Sequence, residues 1–273
     1  MTTNFHSNII SIYGEKGQEW LNELPKTIER VAAEFNLTDI QTEMKEVPLS
    51  FNYICFAQYQ GIDVVVKISP NSDDIKREAE ALRHFNGHGM ARLLAHNDIA
   101  IVLERAMPGT VLAKNDSNSL KIACEVMQKL HSSEADFDKS YFMDIEEWVS
   151  KIDLDWDLKP VILQKARAYK NELLPKYTRR ILLHGDLHHD NILKSRDSYV
   201  AIDPKGVIGD PIYDACNMVI DYEKDTKFIA DYFGFDLEDL RKWYFIYVVL
   251  AICWGLEDNI NPKRLIKIIE RIS

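Results

Sequence analysis

The 273-residue chain has no long apolar run, few glycines and prolines, and only four cysteines. Each shortage excludes something. The most apolar stretch, Trp243 to Leu256, is about 14 residues long, short of the roughly 18 that a membrane-spanning helix needs, and it predicts a core helix instead. With 11 Gly, 9 Pro and 46% hydrophobic residues, the composition is neither disordered nor fibrous. Cys55, Cys124, Cys216 and Cys253 stand far apart with no C-x-x-C pair. That excludes a zinc knuckle or a disulfide framework and predicts buried free thiols. Residues Met1 to Ile12 lack a basic segment followed by an apolar one, so no signal peptide is expected and the expected location is the cytoplasm. Positive charge is in deficit: 33 Lys+Arg face 43 Asp+Glu, a formal charge of −10. Nucleic acid and anionic membranes are therefore not expected partners, whereas a cationic small molecule is permitted.

What is present divides into two textures. Trp20, Leu21, Leu24, Ile28, Val31 and Phe35 recur at helical spacing and predict a helix ending near Asn36, with Pro25 as a kink or a break between two pieces. Phe51 to Tyr59 and Ile62 to Ser69, separated by Gln60-Gly61, predict a hairpin. A polar helix from Asp73 to Phe85 follows, capped by Ser72 or Asp73. A second hairpin is expected from Arg92 to His96 and Ile99 to Glu104. After Met107-Pro108-Gly109 helical patterns dominate: Ser119 to His131, Ile145 to Ile152, Leu158 to Leu173 and most of the chain from Ile212. Short strands at Ile181 to Leu183, Ile192 to Leu193 and Tyr199 to Ile202 interrupt them. The division expected is an α+β fold of two lobes, 1–104 and 105–273, with a ligand cleft between them.

The segment from Ile181 to Leu193 reads ILLHGDLHHDNIL, two apolar runs bracketing a polar loop. Ten residues on, Ile202-Asp203-Pro204-Lys205-Gly206 again delivers a carboxylate from an apolar run. Asn191 and Asp203 are hard oxygen ligands suited to Mg²⁺. Asp186, five residues before Asn191, is placed to accept a hydroxyl proton. Upstream, Lys67 ends the β-branched run Val64-Val65-Val66, where an ammonium needs an anion, and Glu78 or Glu80 on the next helix can position it. Together these groups predict phosphoryl transfer, a reaction catalysed mainly by positioning and charge neutralisation.

These residues resemble the aminoglycoside phosphotransferases, small-molecule kinases with the protein-kinase-like fold. His184-Gly185-Asp186 with Asn191 matches the family's H-G-D-x-x-x-x-N loop, and Ile202-Asp203 stands where protein kinases carry D-F-G. The motifs Ile202 to Gly206, Gly209-Asp210-Pro211 and Tyr213-Asp214 are similar to the branch of streptomycin 6-kinases and hydroxyurea phosphotransferases, as are Trp20 to Pro25 and Trp254 to Asp258. The resemblance covers nearly the whole chain. It implies a small antiparallel-sheet N-lobe with helices, a larger and mainly helical C-lobe, ATP and Mg²⁺ as cofactors, and a hydroxyl of a small cationic or polyhydroxylated acceptor, streptomycin first. It also implies that Glu78 rather than Glu80 pairs with Lys67. Backbone groups of Glu104 and Ala106 would meet adenine, and Ser50, in a loop without G-x-G-x-x-G, would face the phosphates.

Several residues carry two readings. His184 fits a scaffold better than chemistry, and Lys205 fits phosphate contact or support of the Asp203 loop equally. Asp214 fits anchoring of the catalytic loop before substrate contact. Glu257 and Asp258 are either substrate carboxylates or a solvated helix end, with Asp155, Trp156, Asp221 and Glu223 weaker members of the same acidic wall. Three rival functions remain open at this point: a kinase for hydroxyurea or another metabolite, a non-catalytic nucleotide-binding module, and a metallohydrolase using His188 and His189. The last lacks a third convergent ligand motif.

Overall fold

The structure, a computed structural model, describes residues 3–42, 51–258 and 260–272. The chain begins with α1 (Thr3–Phe35), two helices run together across Gly14 at φ 58°, ψ −132°. Only glycine adopts those angles without strain, so the break falls there and not at Pro25. Pro25 lies inside the second piece, where Leu21, Leu24 and Val31 are buried on one face and hold the helix together across the missing hydrogen bond. The helix ends at Asn36, whose φ of 53° lets the Leu37 N–H return to the Ala32 carbonyl.

Five antiparallel strands follow: β1 (Thr38–Gln41), β2 (Tyr53–Tyr59), β3 (Ile62–Ile68), β4 (Leu93–His96) and β5 (Ala100–Glu104), in the order β1-β2-β3-β5-β4. Gln60 and Gly61 both have positive φ, the tight two-residue turn that matches the twist of the paired strands β2 and β3. In β3 the side chains alternate. Val64, Val66 and Ile68 join the apolar layer beneath α1, while Val65 and Lys67 face the opposite side, toward α2 (Ser72–Phe85). The cap of α2 is Asn71, one residue before the expected position. Its side-chain oxygen accepts from the Asp73 and Asp74 N–H groups, leaving Ser72 as the first helical residue. Such a cap contributes about 1 kcal/mol.

Beyond β5 the chain crosses to β6 (Pro108–Val111), then runs through α3 (Ser119–Leu130), α4 (Ile145–Ser150) and α5 (Pro160–Leu173). Strand β7 (Ile181–Leu183) leads into the polar loop and β8 (Ile192–Ser195), and β9 (Ser198–Ala201) and β10 (Val207–Gly209) complete it. These form a three-stranded sheet β6-β8-β9 and a two-stranded ladder β10-β7. Helices α6 (Ile212–Cys216), α7 (Tyr222–Phe233), α8 (Leu237–Glu257) and α9 (Lys263–Ile272) close the fold. The apolar stretch of α8 is a core helix, with Trp243, Phe245, Val249 and Ile252 buried. Among the described residues no helix is long and apolar enough to cross a membrane. The antiparallel sheet with its helices, followed by a mainly helical second part, is the protein-kinase-like arrangement.

The short strands β1, β6 and β10 were not expected. Each has three or four residues and too little alternation to stand out, and each exists because a distant neighbour offers an edge to pair with.

Candidate active site

Two ladders fix the polar loop. Strand β7 pairs with β10 and β8 pairs with β9, so residues 184–191 and 202–206 leave the sheet side by side. Main-chain bonds tie the two loops together. The Ile202 N–H donates to the Asn191 carbonyl at 2.9 Å, and the Lys205 and Gly206 N–H groups donate to the His184 carbonyl at 2.9 and 3.1 Å. His184 is fully buried. Its Nδ1 accepts from the Asp186 N–H at 3.2 Å, which leaves Nε2 to donate to the Ile202 carbonyl at 3.0 Å. Burial holds this imidazole below its usual pKa, hence neutral, and the ring works as a brace between the loops.

Asp214 lies under the same loop. It is fully buried, and its two oxygens accept the His184 N–H at 2.9 Å and the Gly185 N–H at 2.8 Å. His131 Nε2 stands 2.9 Å from the Oδ2 atom. Burial opposes the charge, yet the His131 contact and the donated N–H groups hold the carboxyl below its usual range. The substrate role entertained for Asp214 is therefore corrected: a residue with no exposed surface and both oxygens engaged anchors the loop from below.

Asp186 is left with a free carboxylate. Its main chain is pinned, because its carbonyl accepts from the His188 N–H and from Asn191 Nδ2, both at 2.9 Å. Its side chain is about one-third exposed, and among the described residues its ion-pair partner is His188 Nε2, loosely held at 3.6 Å. The Asn191 bond also orients that amide: with Nδ2 donating inward, the carbonyl oxygen is free to act as a ligand. Asp203 is held at φ 61°, a left-handed conformation that a non-glycine residue adopts only at a cost, of the kind that clusters at functional sites. Asn191 and Asp203 thus offer hard oxygen donors from adjacent loops, a set that fits a magnesium ion retaining water or phosphate ligands. Among the described residues no group of three or more His, Cys, Asp or Glu side chains could hold a metal by itself.

Lys67 reaches this site from β3. Its Nζ is 2.6 Å from Glu78 Oε2 and also pairs with Asp203 Oδ1. Burial alone would lower the lysine pKa, but Glu78 and then Asp203 outweigh it and hold the ammonium firmly protonated. Burial would raise the Asp203 pKa, but Lys67 and then Lys205 outweigh it and hold the carboxyl well below its usual range. Glu80 points elsewhere, to Arg83 and the Asp138 N–H. Glu104 ends β5 with its carboxylate on Arg92 and Arg196. Among the described residues the nearby Ala106 N–H has no main-chain partner. Ser50 lies outside the described residues.

On the acceptor side, Glu257 is engaged by Lys151, and Asp258 is exposed at the end of α8. Asp221 caps α7, and Glu223 pairs with Arg241, so both serve the fold locally. Sequence reasoning missed an aromatic wall. Trp148 meets Trp254 edge to face at 5.2 Å and Tyr213 at 6.0 Å, and its ring closes on Gly185, where a Cβ would sit 3.1 Å from it. These rings come from α4, α6 and α8, and no local pattern links them.

With this geometry in hand, comparison with known proteins is informative. The family described as aminoglycoside/hydroxyurea antibiotic resistance kinases matches residues 49–259. A streptomycin 6-kinase from Streptomyces glaucescens is 27% identical over 275 residues, spanning 90% of this chain and 88% of that protein. Among solved structures, choline kinase LicA from Streptococcus pneumoniae superposes with a TM-score of 0.67 at 13% identity, covering 92% of this chain and 98% of that one. A thermostable mutant of aminoglycoside phosphotransferase APH(4)-Ia, solved with ADP and hygromycin B, gives 0.63 at 14% identity, covering 90% and 98%. The chain belongs to the aminoglycoside/hydroxyurea antibiotic resistance kinase family and is a phosphotransferase with the protein-kinase-like fold.

Proposed function

We propose that the chain transfers the γ-phosphoryl group of ATP to a hydroxyl of an aminoglycoside-type antibiotic, with streptomycin the first acceptor to assay. The observation that supports this most is the convergence of Lys67, Asp203, Asn191 and the free carboxylate of Asp186 on one place. The streptomycin 6-kinase relative, similar over nine-tenths of the chain, supports the acceptor. In this reading residues 1–104 bind the nucleotide and residues 105–273 carry catalysis and the acceptor.

Each residue has a defined task. Glu78 holds Lys67 extended so that its ammonium meets the nucleotide phosphates. The Ala106 N–H and the Glu104 main chain, between β5 and β6, take the adenine edge, and Ser50 takes a phosphate oxygen. Asn191 and Asp203 would hold Mg²⁺, which when bound neutralises phosphate charge. Asp186 accepts the proton of the acceptor hydroxyl as its oxygen bonds to the γ-phosphorus. The bond from that phosphorus to the β–γ bridging oxygen breaks, and the electron pair leaves on ADP. In this reading Asp258 serves as an acceptor carboxylate, and Glu257 joins it when released from Lys151.

The test is phosphate transfer from ATP to streptomycin followed by mass spectrometry. Wild type is expected to add one phosphate, and Asp186→Asn to lose about 100-fold or more in turnover. Equal turnover in the variant would remove Asp186 from the mechanism. Transfer to hydroxyurea or a choline-like alcohol but not to streptomycin would keep the chemistry and replace the acceptor.

A further inference from the structure

We propose that Lys205 is a catalytic residue for this reaction: its ammonium binds the γ-phosphoryl group and neutralises it during transfer. The inference rests on the kinase reading above and adds a group to it.

Three observations carry it. First, the catalytic loop from His184 to Asn191 contains no lysine or arginine, so it supplies no permanent positive charge to the group being transferred. Second, Lys67 is spoken for. It is carried by β3, buried against α2 and bound to both Glu78 and Asp203, which suits it to fixed phosphates further back and not to a moving one. Third, Lys205 stands between the loop that carries Asp186 and the Asp203 carboxylate. Its Cβ would lie 3.4 Å from a Cβ at Gly185, the residue before Asp186, and its Nζ reaches 3.5 Å from Asp203 Oδ2. Its main chain is held rigidly through the bond from its N–H to the His184 carbonyl, while its side chain is half exposed. The base of this lysine is thus fixed and its tip is free to swing.

The contact with Asp203 is long and solvated, a weak ion pair that an anionic partner displaces readily. A phosphate oxygen offers a shorter, charge-assisted bond, and a metal taking the Asp203 oxygen would repel the ammonium toward the same phosphate. An ammonium contributed by Lys205 would balance charge on the equatorial oxygens of the phosphoryl group in transfer.

Nucleotide binding separates this role from support of the Asp203 loop. The affinities of ADP and of AMP-PNP, each with Mg²⁺, are measured by calorimetry for wild type, Lys205→Ala and Lys205→Arg. Contact with the γ-phosphoryl group predicts that Lys205→Ala weakens AMP-PNP about tenfold or more, leaves ADP within about twofold, and leaves the melting temperature unchanged; Lys205→Arg recovers most of the loss. Turnover with ATP should fall at least as far as AMP-PNP affinity. Equal weakening of both nucleotides with a lowered melting temperature would overturn the proposal in favour of loop support. Unchanged binding and turnover would overturn it outright. Wild type that binds neither nucleotide would instead overturn the nucleotide reading beneath it.

Discussion

The two oxygens of Asp214 illustrate how a single buried side chain holds a polar loop. One carboxylate accepts the consecutive N–H groups of His184 and Gly185, which no helix or sheet would otherwise satisfy, and His131 stands against it. Asparagine has one acceptor oxygen, so in Asp214→Asn one of those N–H groups would face an amide N–H. We expect a loss of about 1–3 kcal/mol in denaturant unfolding together with reduced turnover; unchanged stability would show that water replaces the bond. At this scale much of the site was legible from the chain alone. His184, Asp186, Asn191 and Asp203 fall within 20 residues of one another, and short spacing between apolar runs leaves few ways to arrange them. The partner of Asp214 was not legible, because His131 sits just past the end of α3, 83 residues away, and nothing local marks it. Nor were Trp148 and Trp254, which meet through tertiary packing of α4 against α8.

At the scale of elements, the helices and the two hairpins of the β-rich part were readable because each carries its own periodicity. The short strands and the cap of α2 depend on neighbours or on one residue's angles. The same dependence governs the end of α2. His84 is buried there between Phe85 and Phe137, with ring centroids at 5.1 and 4.9 Å, and burial depresses its pKa. The ring is neutral in the folded state, whereas the unfolded chain takes up a proton as pH falls through about 6.5. The sign follows: His84 contributes fully above that pH, and the contribution is lost as pH drops toward the folded value. Phe at this position fills similar space without titrating. The melting temperature of wild type relative to His84→Phe should therefore fall between pH 7.5 and pH 5.5. A constant difference across that range would mean that the ring titrates alike in the folded and unfolded states.

At the scale of the whole molecule, several carboxylates are used in pairs. Glu257 is tied to Lys151, Glu223 to Arg241 and Asp190 to Lys114, so a continuous acidic wall is not what the charge of −10 builds. In the proposed reading, acceptor recognition combines Asp258, exposed at the end of α8, with the aromatic surface beside Gly185.

The four thiols have a practical consequence. All are buried, one in each of β2, α3, α6 and α8, and burial pushes the Cys55 thiol up to about 11 and those of Cys124 and Cys253 up to about 12. Only the thiolate reacts, so an alkylating reagent can modify them only when the surrounding structure opens. Cys55 lies in the apolar layer under α1 and the other three in the larger core, which makes them separate chemical clocks for the two layers. In native buffer, peptide mass spectrometry should find all four labelled slowly, with Mg²⁺ and AMP-PNP slowing Cys55 most. Rapid labelling of any one in the folded protein would locate a region that breathes on its own.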